Sequence, residues 1–374
     1  MSIVTRREDF QALEEPWNHL LVESSSNTFF LRWEWVWAWW EAFGASLGTL
    51  HILLVKRGER VVGIGPFYWM ATTQVGLFPV RRLLFLGTAI GGKGDVGTEY
   101  IDLIVLPHHQ EEVVEAMSAH LLQEDQFHEW MFLHVPDQAP GLFALLARAG
   151  KARYWLQEMH RWQCPYITLP ARWEQFLESL GSTLRYKFRK NLRELEKHGA
   201  YFFRTTHSIE ELDRDLQTLV LLHQARWEGR GMSGVFADPA YQHFLSMVSR
   251  AALQRGLLRL SIITVLDKPV AAVYNIVYGN KVYYYQSGFD TAFDRKVAIG
   301  TFAHTLCIEQ AIGEKLDEYD FLLKGSLDTY KDRWTRAVRE IVDYRLIAPG
   351  WPQWMAKVES SVRGYVRQFR KVQQ

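Results

Sequence analysis

Two stretches of this chain share one pattern, and that repetition constrains the fold more than any other feature. The first is HILLVKRGERVVGIGPFYWM, beginning at His51; the second is LRLSIITVLDKPVAAVYNIVYGNKVYYYQSGFD, beginning at Leu258. Each is rich in β-branched and aromatic residues and folds back at a charged turn, Arg57 to Arg60 in one and Asp267 to Pro269 in the other. Setting Val61-Val62-Gly63 against Val270-Ala271-Ala272 aligns the runs and turns at a displacement of 209 residues. A pattern that returns once at this distance indicates duplication of a mixed-sheet unit rather than a solenoid, whose period is roughly 20–50 residues. Length agrees, because 374 residues exceed the roughly 250–300 at which one core stops growing. The expected division is residues 1–170, residues 171–350 and a basic C-terminal helix over residues 351–374.

Around the first hairpin the pattern predicts strands at Arg82 to Leu86, Tyr100 to Val105 and Trp130 to His134. Helices are predicted near Gln110 to Leu122 and Gly141 to Ala149. The second half restarts with helices over Ser182 to His198 and Ile209 to Glu228, before three strands punctuated by Asp267 to Pro269 and Gly279-Asn280. A helix from Ile299 to Gly313, a strand at Tyr319 to Leu323, a helix near Leu327 to Arg336 and a strand at Val338 to Ile347 complete the order. This is an α/β chain of the mixed α+β type with mixed, mainly antiparallel sheets. Near the start, Trp33, Val36, Trp37 and Trp40 share one helical face while Trp35, Trp39 and Phe43 take another, so this helix is apolar on most sides. Burial between modules satisfies that pattern; a ligand-binding tryptophan cage is the lesser reading.

The charge balance, 43 Lys plus Arg against 42 Asp plus Glu, supplies no overall field for DNA, so any anion site is local. Cys164 and Cys307 lack paired spacing, which argues against a disulfide framework and for a reducing cytoplasm. No apolar signal core opens the chain, and Arg32, Glu34 and Glu41 interrupt its most apolar early stretch, so no membrane span is expected. P-loop, H-E-x-x-H and C-x-x-C patterns are absent. His108-His109 and His304 with Cys307 are too sparse for a metal site, and Ser287 and Ser326 lack a triad order.

One local signal points to chemistry. Arg295-Lys296-Val297-Ala298-Ile299-Gly300-Thr301 follows the strand Tyr283 to Gly288 and enters an apolar helix. Such a turn brings backbone N–H groups and the positive helix end to a pyrophosphate, with two basic residues to neutralise it. Upstream, Leu184, Phe188, Leu192 and Leu195 form one helical face, with Arg185, Lys187, Arg189, Lys190, Arg193 and Lys197 around it. A solvated amphipathic helix is the plain reading, and an anion-facing wall that uses Arg185 and Arg189 is the sharper one. His223, Trp227 and Glu228 close the helix LVLLHQARWEGRG and suit either an acceptor cleft or ordinary packing.

Four phrases in order, NTFFLRWEWVWAWWEAFG, LRYKFRKNLRELEKHG, the run ending YYYQSGFD, and YDFLLKGSLDTYKDRW, resemble the duplicated GCN5-related N-acetyltransferase type. That type is shared by FemAB-like transferases and CelD or BioF2-like acetyltransferases. The resemblance implies two GCN5-like modules with acyl-CoA, acetyl-CoA in the first instance, as donor and no metal. It implies pantetheine between splayed strands beside Tyr285, Gln286 and Ser287, with pyrophosphate at the turn of Arg295, Lys296, Ala298, Ile299, Gly300 and Thr301. Arg295, Ala298 and Gly300 match the superfamily spacing Gln/Arg-x-x-Gly-x-Gly/Ala, with Ala298 in place of the first Gly. Tyr100 to His109 in the first half has no comparable turn, so one donor site is expected. Tyr330 stands where relatives place a general acid, with an ordinary core or surface tyrosine as the plain reading. Asp320 suits orienting an acceptor or accepting a proton, or a strand-end carboxylate, and Lys331 suits binding an anionic acceptor or the CoA phosphate, or an exposed helix lysine. The relatives' Gly-Asp-Glu before the Tyr-Lys pair is replaced by Gly325-Ser326-Leu327-Asp328-Thr329.

The implied reaction is acyl transfer to an amine or hydroxyl of a small-molecule or saccharide acceptor, such as a cell-envelope or polysaccharide precursor. Two alternatives stand beside it: FemAB-like transfer from aminoacyl-tRNA to a peptidoglycan precursor, and a non-catalytic binding protein of the same fold. The lack of a long helical arm argues against a tRNA partner. Lys357, Arg363, Arg367, Arg370 and Lys371 suit peripheral contact with an anionic membrane, with a packed terminal helix as the plainer expectation.

Overall fold

The computed structural model describes residues 1–75, 78–123, 127–294, 296–325 and 330–357. It divides into two compact units, Met1–Trp162 joined by the stretch from Ile341 onward, and Gln163–Glu340. This differs from the expected division at residue 170 and from the assignment of residues 341–350 to the second module. The reason lies in strand pairing, since each sheet takes its last strand from the other half of the sequence.

The first unit contains β1 (Ser2–Val4), α1 (Arg7–Gln11), α2 (Glu14–Glu23), α3 (Trp33–Trp39) and α4 (Ala45–Leu47). It continues with β2 (Thr49–Arg57), β3 (Arg60–Val75), β4 (Phe78–Phe85), β5 (Ile104–Val105), α5 (Gln110–Gln123), β6 (Glu129–Pro136) and α6 (Pro140–Lys151). β7 (Trp155–Thr168) runs into the second unit, which holds α7 (Trp173–Ser179), α8 (Ser182–Glu196), β8 (Tyr201–Thr205), α9 (Ile209–Glu228) and α10 (Pro239–Gln254). There follow β9 (Leu258–Val265), β10 (Lys268–Tyr278), β11 (Lys281–Phe289), α11 (Ile299–Gly313) and β12 (Glu318–Asp320), and β13 (Val338–Ile347) returns to the first unit.

The first unit's strands lie in the order β1-β2-β3-β4-β6-β13, with β5 on β3; the second's lie in the order β8-β9-β10-β11-β12-β7. In each, one pair is parallel, β4 with β6 and β11 with β12, and the other pairs on these paths are antiparallel. The duplication extends to a defect. The β2–β3 register skips Val62 and the β9–β10 register skips Val270, so both hairpins carry a β-bulge at the same place. Val62 and Val270 lie 208 residues apart, one fewer than the alignment of their flanking residues suggested.

The tryptophan-rich helix is α3, extended by a π-helical turn over Trp40–Gly44. Its partners belong to the first unit. Trp33 stacks on Trp37 at 5.0 Å, Phe10 meets both edge-on, and Trp39 tilts against Tyr68. The indole N–H groups of Trp35 and Trp39 donate to Thr98 Oγ1 (3.0 Å) and the Gly94 carbonyl (2.7 Å), so these rings are buried with their polar atoms satisfied. The burial expected between modules is thus supplied by these partners within one unit.

In the second unit, α11 lies on the sheet with Phe302 fully buried, stacked on Phe188 of α8 and edge-on to Tyr201 of β8. Burial of one such ring contributes about 1.5–3 kcal/mol. The strand expected over Tyr100 to Val105 shrinks to β5, and that over Tyr319 to Leu323 to β12. Of the helix expected near Leu327 to Arg336, residues 327–329 lie outside the described residues, and the described remainder holds a single 3-10 turn, Lys331–Arg333. α10, β7 and β8 were not anticipated. Residues 351–357 are helical, while Arg363, Arg367, Arg370 and Lys371 lie outside the described residues.

Candidate functional site

β11 and β12 pair for three residues only, Lys281–Tyr283 with Glu318–Asp320. Beyond that the register ends, and the gap between the strands is lined rather than bridged. A β-bulge in β11 decides which side chains line it. Tyr274 pairs with Gln286 and Asn275 with Tyr284, which leaves Tyr285 unpaired. The extra residue places Tyr284 and Ser287, three apart, on one face, where their hydroxyls lie 2.7 Å apart. Tyr285 turns to the other face and accepts a hydrogen bond from the Tyr241 hydroxyl of α10 at 2.9 Å. Strict alternation would have grouped Tyr285 with Ser287; the bulge instead sets Tyr284 beside Ser287, outside the stretch Tyr285 to Ser287 that the resemblance implies.

A cavity of about 400 Å³ opens here, lined among others by Ser287, Ala298, Ile299, Gly300, Thr301 and Tyr330. Its floor is the first turn of α11, which has no acidic residue. Helix geometry leaves the N–H groups of Gly300 and Thr301 without intrahelical acceptors. The Ala298 N–H is held by Asn191 Oδ1 of α8 at 3.1 Å, and Asn191 is buried. A Cβ at Gly300 would meet the Phe289 ring at 3.0 Å, so a side chain there would crowd that ring. Gly288 has a comparable role: its ideal Cβ would lie 2.5 Å from the His223 backbone nitrogen, so α9 sits directly against β11.

That close approach delivers two cations absent from the sequence-derived site. Arg226 and Arg230 of α9 and the loop after it line the cavity, with the Arg226 guanidinium 4.2 Å from the Phe289 ring centroid. They are four residues apart, Arg226 in the last turn of α9 and Arg230 just beyond it, and both border the cavity. His223 and Trp227 share one helical stripe and lie off the lining: His223 is buried, its Nδ1 3.2 Å from Gln224 Oε1, and burial lowers its pKa to about 4. Glu228 is exposed at the helix end. The signal that finds the arginines is their i, i+4 spacing beside a glycine-rich helix exit.

At the closed end, Tyr330 donates to the Tyr284 hydroxyl at 3.4 Å and stacks on His304 at 5.7 Å. His304, passed over as too sparse for a metal site, also lines the cavity. Its Nδ1 lies 3.2 Å from the Tyr319 hydroxyl, which in turn donates to Asn275 Oδ1 at 3.3 Å. Burial, reinforced by the charges of Lys331 and Arg226, pushes its pKa down to about 3, so the ring is neutral near pH 7.

The remaining sequence-derived residues are placed as follows. Lys331 is buried and donates from Nζ to the Phe321 and Leu323 carbonyls, both at 2.7 Å, so its charge ties down the chain after β12. Asp320 is buried; it accepts from the Leu322 N–H at 2.7 Å and from Arg339 at 3.2 Å, and it does not line the cavity. Gln286 lies in the β10–β11 ladder. Lys296 is exposed, and its N–H donates to Asp294. Arg295 lies outside the described residues. Arg185 and Arg189 lie on α8, half-buried and exposed, and neither lines the cavity. Among the described residues, no group of three or more His, Cys, Asp or Glu side chains is arranged to hold a metal, and no helix is long and apolar enough to cross a membrane.

Residues 182–332 match the model of the acetyltransferase (GNAT) domain. The crystal structure of FemX superposes with a TM-score of 0.62 at 9% identity, covering 95% of this chain and 99% of that one. A conserved protein of unknown function from Bacteroides thetaiotaomicron superposes with a TM-score of 0.53 at 11% identity, covering 93% and 100%. No curated protein matches the sequence. The domain match in the second unit and the repeated strand order together make this a duplicated GNAT-like fold with FemAB-like structural relatives.

Proposed function

We propose that this duplicated GNAT-type chain is an acyl-CoA-dependent acyltransferase. It moves an acyl group, acetyl in the simplest case, to an amine or hydroxyl of a small-molecule or saccharide acceptor in the cytoplasm. The observation that carries this reading is convergence: the end of β11 at Ser287 and Phe289, a carboxylate-free first turn of α11 and the Tyr330 side chain all border one cavity. In this reading the donor's pantetheine lies between β11 and β12 beside Ser287. Its pyrophosphate meets the N–H groups of Gly300 and Thr301, with Arg226 and Arg230 neutralising charge at the rim. Tyr330, which lines the cavity and donates to the Tyr284 hydroxyl at 3.4 Å, protonates the leaving thiolate.

Calorimetric titration with acetyl-CoA, longer acyl-CoAs and free CoA tests the donor. A folded wild type that binds none of them removes the proposal. Tyr330→Phe is expected to lower turnover about 100-fold or more while donor affinity changes less than about 3-fold; unchanged turnover removes Tyr330 as the acid. The likeness to FemX over 95% of the chain favours a second reading, FemAB-like transfer from aminoacyl-tRNA. RNA-dependent activity that falls steeply with salt distinguishes it.

A further inference from the structure

We propose that His304 is the general base of the acyl transfer, a role that rests on the acyltransferase reading above. The first step is the tautomer. Asn275 Oδ1 can only accept, so the Tyr319 hydroxyl spends its proton on it at 3.3 Å. The Tyr319 oxygen, 3.2 Å from His304 Nδ1, is then left as an acceptor, and Nδ1 carries the ring proton. A neutral imidazole has one proton, so Nε2 keeps its lone pair. His304 lines the cavity and its Nδ1 is turned to Tyr319, and the role proposed for the ring falls to its other nitrogen, Nε2.

The surroundings hold the ring in this pose. Tyr284 of β11 meets it edge-on at 4.5 Å, Phe321 and Trp334 close two further sides, and Tyr330 stacks on it. The charged groups that bear on it are Lys331 and Arg226, both cations, which disfavour the imidazolium. Burial is the larger cause of the ring's neutrality, and a polyanionic donor beside Arg226 offsets only the smaller contribution of that cation.

The step balances. The acceptor's nitrogen or oxygen forms a bond to the thioester carbonyl carbon and gives its proton to His304 Nε2. The carbon–sulfur bond breaks, and the thiolate takes the Tyr330 proton. The imidazolium then releases its proton to solvent and the Tyr330 phenolate takes one up, so both groups are restored. This pairing of a base and an acid assigns His304 and Tyr330 separate halves of one proton transfer.

Two measurements on the full chain test the assignment. Nitrogen NMR of 15N-histidine protein, with His304→Gln identifying the ring's signals, is expected to show Nδ1 protonated and Nε2 bare at neutral pH; a proton on Nε2 overturns the proposal. Thiol release from acetyl-CoA with hydroxylamine as acceptor is expected to fall about 100-fold in His304→Gln, with acetyl-CoA affinity within about 2-fold of wild type. In His304→Ala, added imidazole is expected to restore part of the rate, which a purely structural histidine would not allow. Unchanged thiol release in His304→Gln overturns the assignment. A wild type that binds no acyl-CoA fails the donor reading instead, and the ring spectrum separates the two failures.

Discussion

Where the parallel strands part, the first unit carries Phe85 and Phe132 and the second carries Tyr284 and Phe321, each one residue beyond the last paired position. Phe85 and Phe132 pack at 4.9 Å, with Phe67 against both, and fill the opening with carbon. Tyr284 keeps its ring 6.2 Å from Phe321 and turns its hydroxyl to Ser287 and Tyr330. The helix that follows differs in the same sense. α5 and α11 start 189 residues apart, as do β6 and β12, so Gly300 and Thr301 correspond to Glu111 and Glu112. Two carboxylates in the first turn of α5 occupy the positive helix end that an anion would need. On the proposed donor reading, the first unit is closed in two ways, by an aromatic plug and by an acidic turn, while it keeps the same strand order. What both units retain is structural. Glu129 opens the parallel strand between Arg82 and Arg345, as Glu318 does between Lys281 and Arg339.

The retained clamp should give the largest effect. Glu129→Ala leaves Arg82 and Arg345, both mostly buried, without their carboxylate and should cost about 3–5 kcal/mol in urea unfolding. Glu318→Ala leaves two more exposed cations and should cost about 1 kcal/mol or less; equal costs would break the contrast. Burial alone would raise the Glu129 carboxyl, but hydrogen bonds and charges from Arg345 and Arg82 outweigh it and lower its pKa. Its contribution is therefore present above the unfolded value of about 4.3 and fades as pH falls through the folded value. Glu129→Gln should flatten that acid limb in pH-dependent unfolding.

Gly300→Glu transplants the first unit's acidic turn into the second and crowds Phe289; acetyl-CoA affinity should fall about 100-fold by calorimetry, about 2.7 kcal/mol. The reverse exchange, Glu111→Gly with Glu112→Thr, should change nothing measurable in donor binding, because Phe85 and Phe132 still fill the gap. A second binding event in that variant would show that the acidic turn alone had closed the first unit.

Much of this architecture is local in origin. The 3.6-residue and two-residue periods locate α9 at Ile209–Glu228, α11 at Ile299–Gly313 and β13 at Val338–Ile347 as read from the chain, because each pattern reports its own element's buried face. The Gly300 turn is visible for the same reason, as glycine and a helix start are short-range signals. Long-range packing decided the rest. One bulged residue, Tyr285, brings Tyr284 onto the face of Ser287, and no period in the sequence encodes that shift. The meeting of α9 with β11 at Gly288 selects Arg226 and Arg230 over His223 and Trp227. The exchange of β7 and β13 places the division at Gln163 and Ile341, since strand order depends on hydrogen bonds between segments far apart in the chain. His304 becomes a chemical group only when Tyr319 and Asn275, on two other strands, set its tautomer.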